Sequence, residues 1–173
     1  MRRGCGDVEN RDKVGEKWNF AAKLGFSVAD VVFYGPSALA MDAKGRFAMP
    51  TRHRDALLQL CEGRLTLTKD KAGCLMLIPE PTWLSMRDAL LKLPLEAASW
   101  RRFLLGSALD VVMDAAGRLV IAPELRAYAG LQRDLMLMGV GRHFEIWDAA
   151  AYALHEANTR ASEMPDSIKQ FVF

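Results

Sequence analysis

Met41-Asp42-Ala43-Lys44-Gly45-Arg46, closed by an apolar run and Pro50, returns 72 residues later as Met113-Asp114-Ala115-Ala116-Gly117-Arg118, closed by an apolar run and Pro123. Apolar-rich residues precede each copy (Ala38 to Met41, Val111 to Met113). A short helical pattern follows, with Arg52, Arg54 and Leu57 in the first copy and Leu125 and Arg126 in the second. A supersecondary unit that occurs twice decides the architecture. It also implies that whatever the chain binds meets a pseudo-symmetric surface.

Each copy has the chemistry of a turn between two strands. The aspartate bonds its own backbone, and the glycine supplies the positive φ that closes the turn. The spacing predicts strands over 37–41 and 46–49 around the first turn, and over 109–113 and 118–121 around the second, each pair read as a hairpin. A helix follows each, with Thr51 as the cap of the first and Pro123 at the first helical position of the second, which Gly130 ends. Two further strand pairs are expected, 65–68 with 75–78 and 135–138 with 143–147, the latter joined by Gly139-Val140-Gly141-Arg142. Helices are expected over 81–93, with Trp83, Met86, Leu90 and Leu93 on one face, over 96–105, and over 149–161 behind an Asp148 cap. Neither unit has enough strands to close a core of its own, so the halves must pack on each other or on other chains.

The net charge of +2 in 173 residues announces no global basic field, so nucleic-acid binding would have to come from local clusters. No apolar stretch approaches the ~20 residues of a membrane span, and no signal-peptide core follows Arg2 and Arg3. Cys5, Cys61 and Cys74 form no CxxC and have no histidine at zinc-ligand spacing. They are read as reduced thiols of a cytosolic protein, with no metal and no cofactor. His53, His143 and His155 are scattered, and no phosphate loop, HExxH or nucleophile elbow is present, so no enzyme and no small-molecule substrate is expected.

The first signature, running from Met41 through Arg46 with Pro50-Thr51-Arg52-His53-Arg54, resembles that of the MraZ family. Met113 through Pro123, with Leu125-Arg126 and Ala129-Gly130-Leu131, resembles its second. Cys74 through Pro79 with Trp83, Arg102-Phe103-Leu104-Leu105-Gly106 and Phe144-Glu145-Ile146-Trp147-Asp148 support the match, which spans roughly residues 33 to 148. The resemblance implies an α+β fold: a duplicated AbrB-like swapped-hairpin β-barrel with short helices and a pseudo-two-fold within the chain. It implies two SpoVT-AbrB domains, placed at 33–83 and 108–151, with connecting helices over 84–107 and a C-terminal helix and tail over 152–173. It also implies a ring-shaped homo-oligomer on tandem direct repeats of promoter DNA upstream of the division and cell-wall gene cluster. Such a protein would act as a repressor, its own promoter included, in the cytoplasm at the nucleoid.

Residues 1–31 are polar and weakly patterned, and are expected to be a disordered extension or a start-site artefact. Family members begin with Met-Phe where this chain has Val32-Phe33, and a GTG codon reads as Val internally, which makes Val32 a candidate start.

The two copies are charged differently. Lys44, Arg46, Arg52 and Arg54 outnumber Asp42 and Asp55, whereas Arg118 and Arg126 are balanced by Asp114 and Glu124. DNA binding needs cations that reach phosphates and donors that reach base edges. Lys44, Arg46, Arg52 and Arg54 are therefore the expected DNA-binding residues, and the resemblance singles out Arg46. Asp42, Gly45, Asp114, Gly117 and Arg118 are expected to build turns, with the second copy making barrel and subunit contacts. Weak charge per chain favours many copies acting together. The rival reading is a non-enzymatic interaction scaffold that forms rings without reading DNA.

Overall fold

The computed structural model describes residues 31–171. The expected extension falls outside them except for Val31, as do Cys5 and the last two residues of the tail. Among the described residues the strands are β1 (Phe33–Ala40), β2 (Arg46–Ala48), β3 (Arg64–Lys69), β4 (Leu75–Pro79), β5 (Leu109–Val112), β6 (Arg118–Val120), β7 (Asp134–Gly141) and β8 (His143–Asp148). The helices are α1 (Thr51–Cys61), α2 (Glu80–Leu91), α3 (Ala98–Leu105), α4 (Pro123–Tyr128), α5 (Ala149–Ala161) and α6 (Asp166–Lys169), with a 3₁₀ turn at Leu95–Ala97 before α3.

Six antiparallel strands form one sheet in the order β1-β7-β8-β4-β3-β5, and β2 pairs with β6 in a separate ribbon. The order is a palindrome when the repeats are exchanged. The first strand of each repeat lies beside the third strand of the other, and β4 and β8 meet in the middle. The ribbon obeys the same symmetry, with Phe47 opposite Leu119 at its centre. Met49 N–H donates to Gly117 C=O at 2.8 Å, and Ile121 N–H donates to Gly45 C=O at 2.9 Å.

This pairing corrects the two expected hairpins. Each turn closes locally: Gly45 N–H donates to Asp42 C=O at 2.9 Å, and Gly117 N–H donates to Asp114 C=O at 2.8 Å. The strands on either side then part. A three-residue strand such as β2 or β6 cannot sustain a hairpin in water. Pairing across the repeats instead puts Phe47, Met49, Leu119 and Ile121 into the same core as Leu65, Leu67, Leu75, Leu77, Leu135, Leu137, Phe144 and Ile146. Strict alternation along β3, β4, β7 and β8 points these leucines and their partners to one face.

Other boundaries move for local reasons. Strand β1 begins at Phe33, four residues earlier than expected, because the whole of β7 is available to pair with it. Strand β7 runs through Gly139 to Gly141, so the expected four-residue turn shrinks. Gly139 is there because β1 passes so close that a Cβ would lie 2.7 Å from the Phe33 carbonyl carbon. Thr51 is the first helical residue rather than a cap, Pro50 stands at the N-cap, and no side chain caps α1. Helix α2 stops at Leu91, which leaves Leu93 outside it and exposed. Asp148 does cap α5, accepting from the backbone of Ala150 and Ala151.

Helices α2 and α3 cover the outer face of β3 and β4, where Met76, Ile78 and Trp83 meet Met86, Leu104 and Leu105. Thr68, buried beneath them, donates to the Leu104 carbonyl at 2.6 Å. Among the described residues, the symmetry-related outer face of β1, β7 and β8 is covered only at one corner, where Tyr152 of α5 meets Trp147 edge-on and His155 lies tilted against it. The cross-strand rows Tyr34–Val140–His143, Pro36–Met138–Glu145 and Ala38–Met136–Trp147 make up that face. Tyr34 is 76% exposed and Val140 44%.

Candidate nucleic-acid interface

The outward side of the β2–β6 ribbon is built from alternate residues. Phe47 and Leu119 point into the core, so Arg46, Ala48, Arg118 and Val120 point out, with Arg46 opposite Val120 and Ala48 opposite Arg118. The two arginines therefore share one face of the ribbon, related by the pseudo-two-fold. The turns at Asp42 and Asp114 continue that surface at its two ends.

The two turns have matching hydrogen bonds. Asp42 Oδ1 accepts from the backbone N–H of Lys44 and of Arg46, both at 2.9 Å, and Oδ2 accepts from Arg46 Nε at 2.7 Å. Asp114 repeats this with Ala116, Arg118 and Arg118 Nε at 2.9, 2.8 and 2.8 Å. The backbone N–H of Arg46, followed by its guanidinium, holds the Asp42 carboxyl below the ordinary aspartate value. The Arg118 N–H leads the same effect at Asp114. Gly45 and Gly117 have φ of +80° and +75°, which closes each turn.

Both arginine–aspartate pairs are about 40% exposed, and such a pair is worth roughly 0–1 kcal/mol. Asp42 engages Nε alone, and the terminal nitrogens of Arg46 have no hydrogen-bond partner among the described residues. A phosphate or a guanine edge can therefore take the guanidinium with little lost from the fold. Lys44 is exposed in the same turn and carries no ion pair among the described residues.

Arg52 and Arg54 are placed differently. Arg52 is tied inward: Nη2 donates to Pro36 C=O and Ser37 Oγ, both at 2.8 Å, and Nε donates to His53 Nε2 at 3.1 Å. Arg54 is half-buried, with Nε donating to Met49 C=O at 2.7 Å and its guanidinium lying against Gly117. The structure brings Lys44 and Arg46 together with Arg118 on one face; Arg52 stays exposed while bonded to β1, and Arg54 is half-buried against the second turn.

His53 lies on the buried side of α1. It is 7% exposed, packed against Phe33 and Phe144, and burial and the Arg52 charge push its pKa below the ordinary histidine value. The repeat interval carries the signal for this, since it aligns His53 with Leu125, which is also buried. The same interval aligns Arg54 with Arg126. Cys61 and Cys74 are buried free thiols, and burial raises the pKa of each. No group of three His, Cys, Asp or Glu side chains that could hold a metal exists among the described residues, and no helix there is long and apolar enough to cross a membrane.

A palindromic six-stranded sheet and a ribbon that joins the two repeats define an α+β protein whose halves share one core. Residues 104–170 match a family profile described as "MraZ protein, putative antitoxin-like". The chain is 51% identical over 146 residues to the transcriptional regulator MraZ of Methylibium petroleiphilum, covering 84% of this chain and all of the relative. It is 54% and 55% identical over 142 residues to the proteins of the same name from Ralstonia pickettii and Herminiimonas arsenicoxydans, covering 82% of this chain and all of each relative. The chain belongs to the MraZ family.

Proposed function

We propose that this chain is a DNA-binding transcription regulator that meets its site through the outward face of the β2–β6 ribbon. The observation that carries the reading is the pair of exposed arginines, Arg46 and Arg118, with Lys44 in the adjoining turn and only weak partners to give up. The names of its relatives agree with it. Within that reading, Lys44 and Arg46 make the principal contacts. Arg52 and Arg54, also expected on the DNA, add positive charge beside them while bracing β1 and the second turn.

The regulator acts as a ring-shaped homo-oligomer on tandem direct repeats. It represses the division and cell-wall gene cluster, its own promoter included, and resides at the nucleoid. Support for self-association comes from the apolar outer face of β1, β7 and β8, and from the ridge of Leu91, Leu93, Leu95 and Trp100, of which Leu95 is 79% exposed. Head-to-tail contact between unlike surfaces closes into rings.

A gel shift on the protein's own promoter tests the reading. Wild type should shift the fragment, and Arg46→Ala should weaken binding by about tenfold or more, as expected for one lost base or phosphate contact. A shift unaffected by the substitution would move the contact off the ribbon. The exposed apolar face also fits a scaffold without DNA readout, and no shift by wild type would select that reading.

A further inference from the structure

The first turn belongs to the first repeat, but the side chain pressed against its glycine comes from the second. A Cβ on Gly45 would lie 2.8 Å from the Ile121 carbonyl oxygen, 3.0 Å from Arg126 Cζ and 3.1 Å from Arg126 Nε. The converse contact is tighter: a Cβ on Gly117 would lie 2.6 Å from Arg54 Cζ. Arg54 stands in α1, directly behind the first turn in sequence, and Arg126 stands in α4, directly behind the second. Each helix thus sends its arginine across the ribbon to the other repeat's turn. The backbone bonds from Met49 to Gly117 and from Ile121 to Gly45 reach the same two glycines from the same opposite repeats.

We infer that Arg54 and Arg126 are reciprocal positioning residues, each setting the turn of the opposite repeat. The basic turn that carries Lys44 and Arg46 is therefore held by an arginine of the charge-balanced repeat. A glycine at each site leaves the room that a planar guanidinium needs to lie flat on the turn. Among the described residues Arg126 Nε is buried without a hydrogen-bond partner, so its hold on Gly45 is one of close contact, whereas Arg54 adds a bond to Met49. The inference rests on the ribbon face being the DNA surface. Arg126 need not touch DNA: it acts by fixing where Lys44 and Arg46 stand.

The test uses the full chain, the promoter duplex and a scrambled duplex, with affinity followed against salt and backbone amide exchange followed residue by residue. Arg126→Met keeps the aliphatic stem and removes the fork. It should weaken promoter binding about fivefold and narrow the preference over scrambled DNA. The slope of log affinity against log salt should stay as in wild type, whereas Lys44→Ala should reduce that slope by about one. Amides of residues 42–46 should exchange faster in Arg126→Met, and those of 114–118 faster in Arg54→Met. If Arg126→Met does not fold, Arg126→Lys must show the same crosswise exchange in milder form.

Exchange that loosens only the turn of the substituted residue's own repeat would overturn the inference. So would unchanged binding by Arg126→Met, or a salt slope reduced as in Lys44→Ala, which would make Arg126 a direct phosphate contact. Wild-type binding by Arg46→Ala would instead overturn the ribbon reading while leaving the crosswise exchange to be judged on its own.

Discussion

The imidazole of His53 accepts a hydrogen bond from Arg52 Nε and packs at 5.8 Å from the Phe33 ring and 5.0 Å from that of Phe144. Protonating it would set a cation beside a guanidinium in an aromatic pocket. Its folded pKa lies below the ordinary value of 6.5, so the unfolded chain binds the extra proton first as pH falls. The contribution is whole above about pH 6.5 and shrinks as pH drops toward the depressed value. Denaturant midpoints measured from pH 8 to 5 should fall for wild type and fall less for His53→Phe. At Gly117, where φ is +75°, an alanine would be strained and would strike Arg54. Gly117→Ala should cost about 2 kcal/mol or more, against about 1 kcal/mol for Gly73→Ala, where φ is +90° and the space is open. Unfolding curves for the two separate strain from collision. The turn chemistry of Asp42 and Asp114 was legible because it is local: an aspartate reaches the amides two and four residues on wherever the chain goes. The fates of Arg52, Arg54 and His53 were not legible, because a helix surface becomes an interior only once β1 and the opposite turn are laid on it.

At the level of elements, the same division between local and distant signals holds. Asp148 caps α5 as its sequence position promised, and it also accepts from the backbone of Gln132 at 3.2 Å, so one carboxylate secures two segments. Asp148→Ala should destabilise the protein by about 1 kcal/mol or more in denaturant unfolding, the usual worth of a cap. The ribbon is a different case. Its strands could be read from sequence, but their partners could not, because three apolar-alternating residues fit any antiparallel neighbour. Phe47, 2% exposed at the centre of the crossing, joins the repeats rather than serving one of them. Phe47→Ala should cost about 3–5 kcal/mol, which calorimetry would read as a single cooperative transition at lower temperature. Two separate transitions would mean that the repeats unfold independently.

For the molecule as a whole, the dependence of each half on the other followed from the strand count of the repeat, and the α+β class from the resemblance of its two signatures. The exposed apolar face did not, since α3 covers one half of the sheet and no described helix repeats that cover on the other half. With a net charge of only +2, one chain makes a weak electrostatic grip. Light scattering should therefore give a mass several times 19.3 kDa. Binding to an array of repeats should exceed binding to one repeat by about 10²-fold or more, as linked weak contacts require. A forced monomer that bound a single repeat as tightly as wild type binds the array would sink the avidity account.

The palindromic sheet also sets a schedule for synthesis. Phe33 pairs with Gly141 and Ala40 with Asp134, so the partner of β1 leaves the ribosome about a hundred residues after β1 itself. At roughly 5–20 residues per second, the nascent chain carries β1 and β2 unpaired for several seconds. The first repeat must therefore wait, its apolar strands uncovered, until the second arrives to close the core. Refolding from denaturant, where the whole chain is present at once, should be free of that wait.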